Sequence, residues 1–181
     1  MTLVFLVEEM SMKVFLDHLL PRILPKDVYF TIVPHEGKSD LEKSIPIKLA
    51  NWNTPDTRFM IIHDQDSNNC HVLKEELVSL TDGCNKKVVV RIACHELEAW
   101  YFGDLKAVSE AYGVDLMHLA SKRKYRDPDR IESPKQELKK YVPSLEQISG
   151  ARKISPLIDL EHNTSKSFNT FIAGVNKLIN L

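Results

Sequence analysis

Four short apolar runs punctuate the chain, at residues 3–7, 28–33, 58–62 and 87–93. None alternates cleanly between apolar and polar positions. That is the pattern of strands covered on both faces, and so of a largely parallel sheet. The stretches between them carry a helical period. Over 11–24, Val14, Phe15, Leu19 and Ile23 fall on one face. Over 39–52, the opening Ser39-Asp40-Leu41-Glu42 reads as a capping box in which Ser39 and Glu42 satisfy free amides reciprocally. Pro46 is expected to interrupt or kink that helix. A third helix is predicted over 71–80, stopped by Thr81-Asp82-Gly83. Strands alternating with helices predict an α/β layered fold.

Beyond residue 93 the strand signal fades. Leu97, Tyr101, Leu105 and Val108 predict one helix over 96–111, and 115–120, 134–141 and 166–181 read as further helices among loops. The chain is expected to divide into an α/β core over 1–112 and a helical, basic extension over 113–181 packed on it. With 181 residues it buries roughly 70% of its unfolded surface and needs no disulfide or structural metal to fold. Cys70, Cys84 and Cys94 are odd in number and lack CxxC spacing, so reduced thiols in a cytoplasmic protein are expected. The opening MTLVFLVEEM has no basic n-region, and its apolar run is too short for a signal peptide or a membrane span.

Charge changes this picture in one respect. The formal net charge is -1, yet residues 1–120 hold 12 basic and 18 acidic side chains while residues 121–181 hold 12 and 7. An acidic first part and a basic second part suit a cation-filled site beside a polyanion-binding surface; chance segregation of surface charge gives the same numbers.

Open α/β sheets bind ligands beyond the carboxyl ends of their strands. Three of the four apolar runs end in acids: Glu8-Glu9, His63-Asp64-Gln65-Asp66, and His95-Glu96-Leu97-Glu98. In extended backbone residues i and i+2 point the same way, so Asp64 and Asp66 are expected to address one cation. Like charges crowded at a strand end are unfavourable unless something positive sits between them. Oxygen donors suit Mg²⁺ (or Mn²⁺); Mg²⁺ keeps several waters and takes one or two carboxylates plus substrate phosphate. Helix caps and turns also use Asp, which accounts for Asp66-Ser67-Asn68 but not for acids at three strand ends together.

Other motifs fail on spacing. HEGKS, 35–39, ends like a P-loop but has Ile32 where the first glycine belongs, and HELEA, 95–99, has Ala99 where a zinc protease has its second histidine. No ligands have zinc-site spacing. Lys38 remains a candidate phosphate contact at a helix N-terminus. SKRKYRDPDR, 121–130, has two readings. It is a loop whose Lys122, Arg123, Lys124 and Arg126 contact phosphates while Tyr125 stacks on a base, or a solvated loop whose arginines pair with Asp127 and Asp129. Arg91, a cation inside an apolar strand, is expected to pair with a strand-end acid or to meet a phosphate.

A hydrophobic strand ending in Glu, then a later strand ending in Asp-x-Asp, resembles the TOPRIM domain of topoisomerases, primases and several nuclease groups. More closely, the chain is similar to a prokaryotic TOPRIM-like family of unknown function. The segments that carry the resemblance are FLVEEMSMKVFLDHLLPRIL, HEGKSDLEKSIPIKLANW, IIHDQDSNNC, VVVRIACHELEAWYFGDLKAV, RDPDRIESPKQEL and SKSFNTF, spread over nearly the whole length. The resemblance implies a TOPRIM-like (Rossmann-like) sheet and Mg²⁺-dependent action on nucleic-acid phosphodiesters. Glu8, Asp64 and Asp66 would be its catalytic and metal-holding acids, with Glu98 or Glu96 as a fourth. Glu98 is preferred because Glu96 sits nearer a capping position. Glu9 stands where TOPRIM members usually have glycine. Hydrolysis or binding is expected rather than strand passage, which needs a nucleophilic tyrosine from another domain. A role in defence against foreign DNA follows by analogy. The alternatives are a non-catalytic module docking on a partner ATPase or on nucleic acid, and phosphoryl transfer or hydrolysis on a small nucleotide.

Overall fold

The computed structural model describes residues 1–181. Its strands β1 (Thr2–Val7), β2 (Tyr29–Pro34), β3 (Thr57–Asp64) and β4 (Lys87–Ala93) are all parallel and lie in the order β2-β1-β3-β4. β3 runs two residues past its apolar stretch, so His63 and Asp64 are strand residues in register with Ile92 and Ala93. Both faces are covered, which is why the strands do not alternate. Leu3, Phe5, Val7, Met60, Ile62 and Val89 enter one apolar cluster. Val4, Leu6, Phe59, Ile61, Val90 and Ile92 enter the other.

Helices α1 (Met10–Leu19), α2 (Lys38–Asn51) and α3 (Cys70–Ser79) follow the first three strands. α2 and α3 cover the second face through Leu41, Ile45, Leu49, Leu73 and Leu77. The first face is covered by α1 and α8 (Lys166–Ile179), and α4 (Glu98–Phe102), α5 (Leu105–Tyr112), α6 (Pro134–Lys139) and α7 (Gln147–Ile154) join the same apolar cluster. Trp100 joins these parts. Its ring lies 5.6 Å from that of Phe15 in α1, and 5.4 and 5.2 Å from those of Phe168 and Phe171 in α8. Its indole N–H donates to Ser167 Oγ at 2.9 Å. α8 packs on β4 and β3, and the Arg58 guanidinium donates to the last helical carbonyls, those of Leu178 and Ile179, at 2.7 Å each. Residues 113–181 thus share one apolar core with residues 1–112.

Several local expectations are corrected. α2 has no capping box: it starts at Lys38 behind Gly37, whose φ of 98° is open to glycine, and Ser39 is already helical. The Glu36 N–H is taken by Asp40 instead, at 3.0 Å. Pro46 does not end the helix, which continues to Asn51. α1 stops at Leu19 and tightens into a 3-10 turn, Leu20–Arg22. The single helix expected over 96–111 is two. The chain leaves the helical conformation at Asp104 (φ -140°, ψ 77°), just after Gly103, where a Cβ would lie 1.9 Å from Asn163 Oδ1 and whose carbonyl accepts the Thr164 N–H at 2.9 Å. Asp104 then caps α5 through the Ala107 N–H. α7 gave no separate signal, since Gly150 lies inside it.

α1 lies on one face and α2 on the other, while β2 flanks β1 on one side and β3 on its other. The direction of winding therefore reverses between β1 and β3. The crevice beyond those two carboxyl ends is where open α/β sheets place their ligands.

Candidate functional site at the carboxyl ends of β1 and β3

Val7 is in register with Ile62, so Glu8 emerges beside His63 and Asp64. The Glu8 carboxylate accepts the Asp64 N–H at 3.2 Å and lies 3.2 Å from His63 Nδ1. The His63 ring is fully buried. Its Nδ1 is also 2.6 Å from the Asp64 carbonyl oxygen, and its Nε2 faces Glu42 of α2 at 3.5 Å. His63 thus sets the orientation of Glu8 from inside the sheet. The only sequence signal for this was a polar ring closing an apolar strand. Glu9 has the extended backbone φ -137°, ψ 162° and precedes α1, so the position does not call for glycine. Its carboxylate accepts from Ser11 Oγ at 3.3 Å and from Gln147 Nε2 at 3.1 Å.

The chain turns sharply after Asp64. The Gln65 N–H donates to the Ala93 carbonyl and the Asp66 N–H to that of His95, both at 2.9 Å, which ties this loop to the one following β4. Asp66 (φ 52°) and His95 (φ 57°) both occupy the left-handed region. The alignment of Asp64 with Asp66 expected from extended backbone therefore does not hold. Asp64 is half-buried at the strand end, and Asp66 is exposed on the turn.

The third acidic strand end closes the site from the side of α4. Glu96 accepts the Lys135 N–H at 3.0 Å, so it caps α6 rather than the helix that follows it. Glu98, the first residue of α4, is only 4% exposed. The Tyr101 hydroxyl is buried without a hydrogen-bond partner, among Glu98, Tyr112 and Asp64.

Electrostatically the site is a cluster of carboxylates only partly offset by His63 and Lys135. Burial pushes Asp64 well above the ordinary carboxylate range, and the charges of Glu8, Glu98, Glu9 and Asp66 push the same way. Burial also raises Glu8, against His63 and the Asp64 N–H. Glu98 is pushed up to about 7, chiefly by burial. None of Glu8, Asp64 and Asp66 forms an ion pair with arginine or lysine. No three His, Cys, Asp or Glu side chains are gathered closely enough to hold a metal ion by themselves. Mg²⁺ and Mn²⁺, which retain water ligands, ask for fewer protein donors than the closed cage of structural zinc.

A family model described as a domain of unknown function, DUF4276, matches residues 7–176. The chain belongs to the DUF4276 family. No curated protein and no solved structure matches it. The DUF4276 match runs from the last residue of β1 into α8, so it takes in both the acidic strand ends and the basic C-terminal part.

The cations of this DUF4276 chain are dispersed. Lys38 is exposed at the start of α2, next to Gly37, whose N–H donates to the Glu8 carbonyl at 3.1 Å. Lys122 and Arg123 are exposed and free of ion pairs, and Arg126 donates only to the Ser121 carbonyl, at 3.3 Å. Lys124 is paired with Glu137 at 2.7 Å. The base-stacking role expected of Tyr125 is excluded, because its ring is buried and stacked on Phe102 at 5.4 Å while its hydroxyl donates to Glu137. Arg91 is not paired with a strand-end acid. Its Nε and Nη1 donate to the carbonyls of Thr170 and Val90, at 2.9 Å each. His63, Gln147, Lys135 and Tyr101 are the site residues that sequence reasoning missed; Gln147 is 138 positions from its partner Glu9. No helix is long and apolar enough to cross a membrane.

Proposed function

We propose that this chain binds Mg²⁺ or Mn²⁺ at Glu8 and Asp64 and acts on nucleic-acid phosphodiesters. The observation that carries this reading is Asp64, a strand-end carboxyl desolvated beside Glu8, Glu98, Glu9 and Asp66 with no cation paired to it. A carboxylate placed so costs stability unless a cation joins it. The position supports the reading too, since the acids lie where the winding reverses. The order of acids, Glu after the first strand and Asp-x-Asp after a later one, is similar to that of TOPRIM domains.

When bound, the ion supplies neutralising charge for the oxygens of a phosphate group. The chain's own residues divide the remaining work. His63 and the Asp64 N–H hold the Glu8 carboxylate in place. Asp66 on the turn and Glu98 from the side of α4 would add negative potential for a cation held there. Glu98, at about 7, holds or releases a proton at its carboxyl oxygen near neutral pH. Lys38, Lys122, Arg123 and Arg126 supply exposed positive charge for a polyanion.

Incubation of plasmid, single-stranded DNA and RNA with the protein and Mg²⁺ or Mn²⁺ is expected to give cleavage that Asp64→Ala abolishes. Cleavage that survives Asp64→Ala overturns the assignment. Turnover of nucleotides but not of polymers would move the substrate to a small molecule. Calorimetry without heat from either metal, with or without nucleic acid, would leave the adaptor of a partner ATPase as the better reading.

A further inference from the structure

Arg91 leaves β4 on the face that α8 covers, in line with Val89 and Ala93. It passes α8 at Gly174, where a Cβ would lie 2.4 Å from Nε and 2.9 Å from Cζ and Nη2. Glycine inside a helix is destabilising relative to alanine; here it makes room for a guanidinium. Two carbonyl acceptors fix the orientation of that group, and Nη2 has no acceptor within the protein. Burial lowers the Arg91 pKa, and no neighbouring carboxylate opposes this. A cation held rigidly, partly desolvated and without a counter-charge calls for an anion.

The space beside it is a groove of about 340 Å³ along β4, between α3 and α8. Four cations line it, Lys74, Arg91, Arg130 and Lys166, against two acids, Asp127 and Asp129. Both acids are engaged. Asp127 pairs with Arg130 at 3.3 Å and with Lys166 at 3.4 Å. Asp129 accepts the Ser167 N–H at 2.8 Å and the Ser165 hydroxyl at 2.7 Å. Arg91 and Lys74 are left without a carboxylate. We propose that this groove binds a phosphoryl group, with Arg91 as its anchor and Lys74 as the second contact, the ligand being a nucleotide or the backbone of a nucleic-acid strand. The groove stands apart from the carboxylates of β1 and β3 and would hold its anion whether or not the chain cleaves anything. It also includes Cys94, which directly precedes the loop bonded to Asp66, so a strand lying in it would lead toward those acids.

Calorimetry on the full chain with inorganic phosphate, AMP and a short single-stranded oligonucleotide tests this. Wild type is expected to bind at least one probe. Binding of phosphate and AMP assigns the groove to a small ligand, and binding of the oligonucleotide alone assigns it to a polymer backbone. Arg91→Met is expected to weaken binding about tenfold, the usual scale of one charge-assisted hydrogen bond. Lys74→Gln, at an exposed position, is expected to weaken it about threefold without touching the core. The phosphate and AMP titrations repeated in EDTA are expected to give the same binding, which separates failure of the groove from failure of the metal site. The inference is overturned if wild type binds none of the probes, or if Lys74→Gln and a folded Arg91→Met both bind as wild type does.

Discussion

Glu137 gathers three donors around one carboxylate: Lys124, Lys140 and the Tyr125 hydroxyl, each at 2.7 Å. The two lysines and the tyrosine hold it down at about 2. A folded value below the unfolded one means that the native state resists protonation. The stabilisation is therefore complete above the unfolded value, near 4.5, and is lost as the pH falls toward 2. Glu137→Gln is expected to cost about 1–2 kcal/mol at pH 7, allowing for solvent around both lysines. In urea melts the gap to wild type should close between pH 4.5 and 2. Asp64 has the opposite sign. Its folded value lies above the ordinary aspartate value of 3.8, so ionisation at neutral pH works against the native state, and below 3.8 the penalty disappears. In EDTA at pH 8, Asp64→Asn is expected to raise the thermal midpoint by a few degrees, with no gain at pH 3. Added Mn²⁺ should stabilise wild type and not the variant. At this scale the sequence made the acids visible, because charge at the end of an apolar run is conspicuous. It could not disclose His63 as their support or Gln147 as a partner of Glu9, since those contacts depend on how distant segments dock.

Among the elements, the strands were legible because a buried parallel strand must be apolar on both faces, and β4 has the bounds its composition predicts. Helix ends were less so. The capping box of α2 failed because Gly37 supplied a backbone turn that local side-chain pattern does not encode. The break between α4 and α5 is a tertiary effect: Leu97, Tyr101, Leu105 and Val108 keep a helical period across it, while Gly103 is pressed against Asn163 and the Ser165 backbone. Gly103→Ala is accordingly expected to cost about 3 kcal/mol through overpacking, measured by urea unfolding. A flexible hinge at Gly103 would instead make the change neutral or mildly stabilising.

For the whole molecule, charge segregation along the sequence became a spatial arrangement only in part. Asp127 and Glu137 neutralise four of the C-terminal cations, Arg130, Lys166, Lys124 and Lys140, and the exposed remainder is smaller than composition suggested. The expected boundary near residue 112 has a direct test. The apolar core runs without interruption from Leu3 to Leu178, and Trp100 would lose Phe168 and Phe171. A chain of residues 1–112 alone is expected to lack a cooperative melt and to expose apolar surface to a hydrophobic dye; a cooperative transition would show a core that folds without the C-terminal extension. The grip of Arg58 on the carbonyls of Leu178 and Ile179 also bears on synthesis. A ribosome delivers β3 about 120 residues before the helix end it must clasp. The sheet therefore waits with one flank bare until α8 emerges, and an elongation pause late in the message would hold the nascent chain in its most aggregation-prone form.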